Sequence, residues 1–173
     1  MKPNHLYYHR LQGRWSGPFR LRVTRPLGLL RSDIGWLNKI QVVAFALGRL
    51  LFGAPRLHTA VEIESEELVH HFSRIERFGF CLYSAEEDFA LCPDGRALAI
   101  SGTEKSLFFH RLLHPGRGWV DDDALRAVYQ WRWFDQDWTM ENESDGQGLR
   151  VKIQCPWAQA RVYLKRRASE TVP

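Results

Sequence analysis

A mainly β protein is predicted: one antiparallel up-and-down β-barrel of about nine or ten strands, with a helical insertion after the first strand. Three observations point there. Beyond position 56, apolar and polar residues alternate in short runs, the period of a half-buried strand. Turn residues such as Pro93-Asp94-Gly95 and Ser144-Asp145-Gly146 separate the runs, at roughly 8 to 12-residue spacing. Ahead of them, one segment carries apolar residues at helical spacing instead. Short connections favour a meander.

Residues 1–12 form an irregular lead-in, with a short helix or a turn left open. The first strand covers 14–25, where Phe19, Leu21 and Val23 alternate with Arg20, Arg22 and Thr24 until Pro26 stops it. Leu27 to Leu30 read as a strand end or a turn. Ser32-Asp33 is the expected N-cap of one long helix over 34–52. Trp36, Leu37, Ile40, Val43, Ala44, Leu47, Leu50 and Leu51 make its apolar stripe, and Val42 and Phe45 widen it; the helix reads as a lid that gates a cavity or docks on a membrane, or else as a plug of one barrel end. Asn38, Lys39, Gln41 and Arg49 lie on the other side, and Gly53 with Pro55 ends it. It is the one strong helix expected. Strand-like runs follow. Among them, 67–75, 78–84 and 88–92 read as separate strands. Residues 126–133 pair with 138–143 across Asp135-Gln136, and 149–155 with 158–165 across Pro156-Trp157. The organisation is thus a lead-in (1–12), a barrel domain (13–167) with its insertion around 32–53, and a flexible tail (168–173).

The composition is that of a globular domain: 173 residues, 45% hydrophobic and 25% charged. It excludes collagen, low-complexity disorder and a polytopic membrane protein. A chain this long forms a core without a disulfide or metal staple. Net charge is +4, but residues 1–56 hold ten Lys/Arg and only Asp33, while the remainder is net acidic. Cys81, Cys92 and Cys155 form no Cys-x-x-Cys pair and read as buried, reduced thiols of a cytoplasmic protein. The N-terminus lacks the pattern of a secretory signal. Charged and amide residues interrupt 34–52 too often for a spanning helix.

Gly13-Arg14-Trp15 stands before the first strand, a helix follows that strand, and an unbroken meander runs to a basic last strand. This layout resembles the calycin superfamily, with its lipocalin, fatty-acid-binding-protein and nitrobindin-like barrels. The resemblance implies a closed barrel with an internal ligand cavity. It assigns barrel closure to Gly13 and Trp15, with Arg161, or else Arg166, packed on the indole. It makes the helical insertion a portal lid, with Trp36, Lys39, Ile40, Phe45 and Arg49 as its candidate residues. No His follows His114, so the late haem ligand of nitrobindin-like proteins has no counterpart, and no cofactor is expected.

Tyr129, Trp131, Trp133 and Trp138 are the candidate apolar wall of a ligand cavity, or else plain core. Arg126 and Arg132 are candidates to hold an anionic head group. They alternate with the aromatics, so both sets cannot face inward without a bulge. His70-His71 and His110/His114 are the metal candidates considered. The first pair points to opposite sheet faces and the second lacks further ligands, so no metal is expected. No Gly-x-Ser-x-Gly, P-loop or His-Glu-x-x-His occurs. The function expected is non-catalytic binding or carriage of an apolar or amphipathic small molecule, lipid or fatty-acid-like. The alternatives are an enzyme acting on an apolar substrate in the same cavity, and a membrane-surface or scaffold protein with a filled core. The basic N-terminal third suits transient contact with an anionic membrane, or internal charge pairing. The acidic remainder disfavours nucleic acid.

Overall fold

The strand-forming alternation closes into a ring. The computed structural model describes residues 2–106, 110–112, 115–133, 136–145 and 147–167, except the side chains of His110, Arg111 and Trp133. Ten antiparallel strands follow one another around the barrel: β1 (Gly13–Pro18), β3 (Arg56–Ile63), β4 (Leu68–Arg77), β5 (Phe80–Leu91), β6 (Ala97–Ser106), β8 (Gly116–Val120), β9 (Arg126–Trp133), β10 (Gln136–Ser144), β11 (Gly148–Gln154) and β12 (Ala158–Arg166). The ring is sealed where β1 meets β12, pairing Trp15 with Arg166 and Ser16 with Lys165. A short β7 (His110–Leu112) pairs with the later half of β6.

The expected first strand is bent into two. β1 pairs with β3, and β2 (Arg20–Val23) continues along β12 alone. The bend falls at Gly17-Pro18-Phe19, and Gly17 is required there: a Cβ on it would collide with the Tyr163 carbonyl oxygen of β12. Residues 80–91 form one strand, where two were expected. The run Glu86-Glu87-Asp88 hides the alternation, because Glu87 points inward. The β4–β5 hairpin turns on Phe78 and Gly79, both with positive φ (50° and 80°), the twist-matched two-residue turn. Phe78 holds this conformation against its side chain's preference.

The lead-in is helical. Helix α1 (Pro3–Leu11) starts on a proline at its first turn and buries Asn4, Tyr7, Tyr8 and Leu11 in one end of the barrel. Asn4 is tied to the β5–β6 turn through Gly95 O at 2.9 Å and Cys92 O at 3.3 Å. Arg10 donates to the carbonyls of Asp123 and Ala124 in the β8–β9 turn. This is the closed end, and α1 is its plug.

The insertion spans the opposite end. It contains two helices, α2 (Pro26–Arg31) and α3 (Trp36–Phe52), in place of one. Leu27 to Leu30 therefore lie in a helix, because Pro26 sits at its first turn and caps rather than breaks it. Gly35, not Ser32-Asp33, is the N-cap of α3. No helix among the described residues is long and apolar enough to cross a membrane. The three cysteines are unpaired and half-buried, not buried as expected. Burial raises the Cys155 thiol above its usual range.

Candidate functional site

Cross-strand register decides which side chains meet inside the ring. His71 and Glu87 are direct partners across β4 and β5. Thr59 lies on the diagonal, because its neighbour Val61 pairs with His71. Glu87 Oε2 stands 2.5 Å from His71 Nδ1, and Thr59 Oγ1 stands 2.6 Å from Nε2. With Glu87 ionised, Nδ1–H donates to it, so in the neutral ring Nε2 accepts the Thr59 hydroxyl proton. Phe89 stacks on the His71 ring, with centroids 5.3 Å apart. These groups hold each other in a largely buried, inward-facing row.

Above this row, α1 delivers two tyrosines. The Tyr8 hydroxyl lies 3.2 Å from that of Tyr129. The Tyr7 hydroxyl is buried with Tyr129 and Asn142 beside it, but neither it nor Asn142 Oδ1 on β10 has a hydrogen-bond partner within 3.5 Å. Burial, followed by the neighbouring phenols, pushes Tyr7, Tyr8 and Tyr129 well above the ordinary tyrosine range, so all three stay protonated. One strand further round, the Tyr83 hydroxyl donates to Glu104, a buried carboxylate, at 3.0 Å. The backbone of Arg111 stands opposite Glu104 in the β6–β7 register.

An internal cavity of about 90 Å³ lies against this polar wall. Thr59, His71, Glu87 and Asn142 line one part of it; Phe19, Ile75, Trp131, Met140 and Ile153 are among the apolar lining. The register places the polar part toward α1 and the apolar part toward the insertion. A second void of about 20 Å³ lies beneath α3, between Val42, Phe45, Leu21 and Tyr83. Ordinary small-molecule sites exceed ~300 Å³, so in this closed arrangement the interior is largely filled by side chains.

Helix α3 covers the open end with an unexpected face. Val42 is its one buried residue, and Phe45 meets Phe19 edge-on at 5.9 Å. Gln41 joins them over the void, whereas the apolar stripe is exposed: Trp36 68%, Leu37 62%, Ile40 55%, Leu47 52%, Leu50 71% and Leu51 75%. The apolar surface continues onto α2 through Leu27 and Leu30, and onto the β4–β5 turn through Phe78 and Phe80. Phe52 meets Phe78 at 6.4 Å, and Arg77 donates to the Gly53 carbonyl at 3.0 Å. The Lys39 ammonium donates to Leu30 O at 2.7 Å, joining the two helices.

Of the expected cavity wall, Trp131 lines the cavity, Tyr129 is buried behind the polar row, and Trp138 packs against Trp157 at 5.5 Å in the core. The Trp133 side chain lies outside the described residues. Arg126 and Arg132 do not face inward: they are exposed and pair with Glu141 at 3.4 Å and Asp137 at 3.8 Å. The pleat leaves no bulge that turns both sets in. In the lid, Phe45 faces the barrel, Trp36 and Ile40 face solvent, and Lys39 and Arg49 are half-exposed. Of the expected closure residues, Arg161 is on the outer wall in mid-strand, lining a groove with Arg20 and Glu141. The guanidinium over Trp15 is that of Arg166, 4.9 Å from the ring. Trp15 and Arg166 are register partners at the seam, and Arg161 pairs with Arg20. Gly13 takes a φ of 117° where the chain leaves α1. His70 is exposed between Asp88 and Glu64, on the opposite face from His71. The His110 side chain and His114 lie outside the described residues.

Sequence reasoning did not assign Thr59, His71, Glu87, Asn142, Tyr7 or Tyr8 to the cavity wall, and weighed His71 only as a metal ligand. A signal existed for the first two: Thr59 shares strand parity with Leu57 and Val61, and His71 with Val69 and Ile75.

This chain thus forms a closed ten-stranded barrel with a plugged end, a helical lid and a polar patch inside. No protein-family model matches it, and no curated protein does. Solved structures do. The REP1-NXSQ fatty acid transporter is 11% identical, with a TM-score of 0.46, covering 94% of this chain and 99% of its own. A Schistosoma mansoni fatty acid binding protein in complex with arachidonic acid has the same identity, score and coverage. Secretory abundant heat soluble protein 4 from Ramazzottius varieornatus is 10% identical, with a TM-score of 0.45, covering 97% of both chains.

Proposed function

We propose that this protein binds an apolar or amphipathic small molecule inside the barrel and exchanges it at an anionic lipid surface through α2 and α3. The observation that carries this reading is the inverted lid. A helix that spans the barrel mouth turns Gln41 toward the barrel and its apolar stripe toward solvent. Such a stripe left in water forgoes about 25 cal/mol for each Å² it could bury. A lipid interface supplies that burial without unfolding the barrel. Charge selects the kind of surface: Arg25 and Arg31 flank α2, Lys39 and Arg49 lie on α3, and Asp33 is the one acid in residues 1–56. Each such cation near an anionic membrane contributes about 1 kcal/mol.

Docking also couples to the cavity. Val42 and Phe45 are the main apolar side chains packing α3 on the barrel, and each buried apolar side chain contributes about 1.5–3 kcal/mol. Lipid contact of comparable size draws the helix away and joins the two voids into one space open at the mouth. The ligand's tail then occupies the end lined by Phe19, Ile75 and Trp131, with its polar end toward His71 and Asn142. The unpaired cysteines accord with a cytoplasmic location as part of this proposal.

Flotation with liposomes of neutral or anionic composition tests the reading, followed by native mass spectrometry of the recovered protein. Binding to anionic vesicles and a retained lipid-sized adduct are expected. The pair Leu47→Asp and Leu50→Asp should abolish flotation, and Arg31→Glu with Lys39→Glu should remove its preference for anionic lipid. Flotation unaffected by either pair, or protein recovered without an adduct, overturns it.

A further inference from the structure

Resting on the binding role above, we propose that the polar end of the cavity takes a head group that donates hydrogen bonds and bears no negative charge, an alcohol or an amine, in preference to a carboxylate. Carboxylate capture would need a cation or a surplus of donors at that end. Among the described residues no Arg or Lys lines the cavity. The arginines expected to do so, Arg126 and Arg132, are on the outer wall in ion pairs. The one basic side chain in the lining, His71, has both ring nitrogens engaged, Nδ1 with Glu87 and Nε2 with Thr59.

What remains at that end are Asn142 and Glu87, with the Ser73 hydroxyl in the lining and the Tyr7 hydroxyl close by, both able to accept as well as donate. Asn142 Oδ1 lines the cavity wall, is buried, and has no hydrogen-bond partner. A buried acceptor left unmade is a standing destabilisation that a ligand donor relieves. Glu87 lines the same cavity, and its Oε2 is held by His71. The Tyr7 hydroxyl, buried beside Asn142, is able to accept as well as donate. An O–H or N–H head satisfies these oxygens. A carboxylate head brings a second negative charge to Glu87 in a poorly screened interior, and two carboxylates sharing one site disfavour each other's ionised form.

The test is a calorimetric titration of the full chain at pH 7 with decanol, decylamine and decanoate, which share a tail and differ in the head. Decanoate should bind at least tenfold more weakly than either of the others. Glu87→Gln should narrow the gap by raising decanoate affinity, and Asn142→Leu should weaken decanol and decylamine. Decanoate binding as tightly as the other two, or more tightly, overturns this assignment while leaving the carriage role intact. Failure of all three to bind overturns the carriage role and this assignment with it. The wild-type ranking decides the question even if a variant does not fold.

Discussion

Replacing Trp15 by Ala tests the closed end of the barrel quantitatively. The indole is 5% exposed, its Nε1–H donates to the Leu11 carbonyl of α1 at 2.8 Å, and the Arg166 guanidinium lies 4.9 Å above the ring. Truncating a buried Trp to Ala costs about 3–5 kcal/mol, and the lost hydrogen bond, near 1 kcal/mol, is contained within that figure. Trp15→Phe keeps most of the packing but leaves Leu11 O without its donor, so a loss of about 1–2 kcal/mol is expected. Arg166 is exposed, and it also donates to Arg10 O at 2.7 Å and Gln12 O at 3.1 Å. Water competes for all three contacts, so Arg166→Ala should cost only about 1 kcal/mol, and its coupling to Trp15 should be about 0.5–1 kcal/mol. Urea denaturation followed by Trp fluorescence and circular dichroism reads these values. For a chain of this length, the Trp15→Ala loss corresponds to a drop of roughly 6–20 °C in Tm. A loss below ~1 kcal/mol for Trp15→Ala would mean that the indole does not join α1 to the seam. An Arg161→Ala variant as damaging as Arg166→Ala would mean that the wrong guanidinium has been assigned.

Two further outcomes follow from the seam and the outer wall. Gly17→Ala should destabilise by about 1–3 kcal/mol, since its Cβ has no space beside Tyr163 O; unchanged stability in denaturant would show that β1 and β12 are not so closely apposed. In an NMR titration, His70 should titrate above 6.5, because it hydrogen-bonds Asp88 and then Glu64, and His58 below 6.5, because of burial and then the nearby Arg167 charge. The His70 contribution to stability is therefore present at low pH and fades as pH rises through its folded value, whereas that of His58 is lost as pH falls below 6.5. Asp88→Asn should lower the His70 value, and no movement would remove the pairing from the explanation.

The barrel itself is largely legible in the chain. Leu149, Val151 and Ile153 alternate with Arg150, Lys152 and Gln154, and this period fixes which face is core whatever the partner strand. The exceptions are instructive. Glu87 sits at a core position within an acidic run, so the alternation of β5 is unreadable until His71 is known to stand opposite. The α1 segment has little amphipathic pattern because Asn4, Tyr7 and Tyr8 fill a barrel end, where Asn4 and Tyr8 find hydrogen-bond partners.

By itself, then, the sequence determined a meander of half-buried strands, a helical insertion and a basic N-terminal third, since these depend on side-chain period and composition. Only the tertiary structure decided which face of α3 meets the barrel, which arginine covers Trp15, and which polar groups share the lumen. The physical reason is the same in each case. Period says that a side chain has an inside and an outside to choose between, but neighbours across the ring, hundreds of atoms apart along the chain, are set by register. A lid that packs on the barrel mainly through two apolar side chains is free to present either face, and the helix places Val42 and Phe45 inward while its apolar stripe stays exposed.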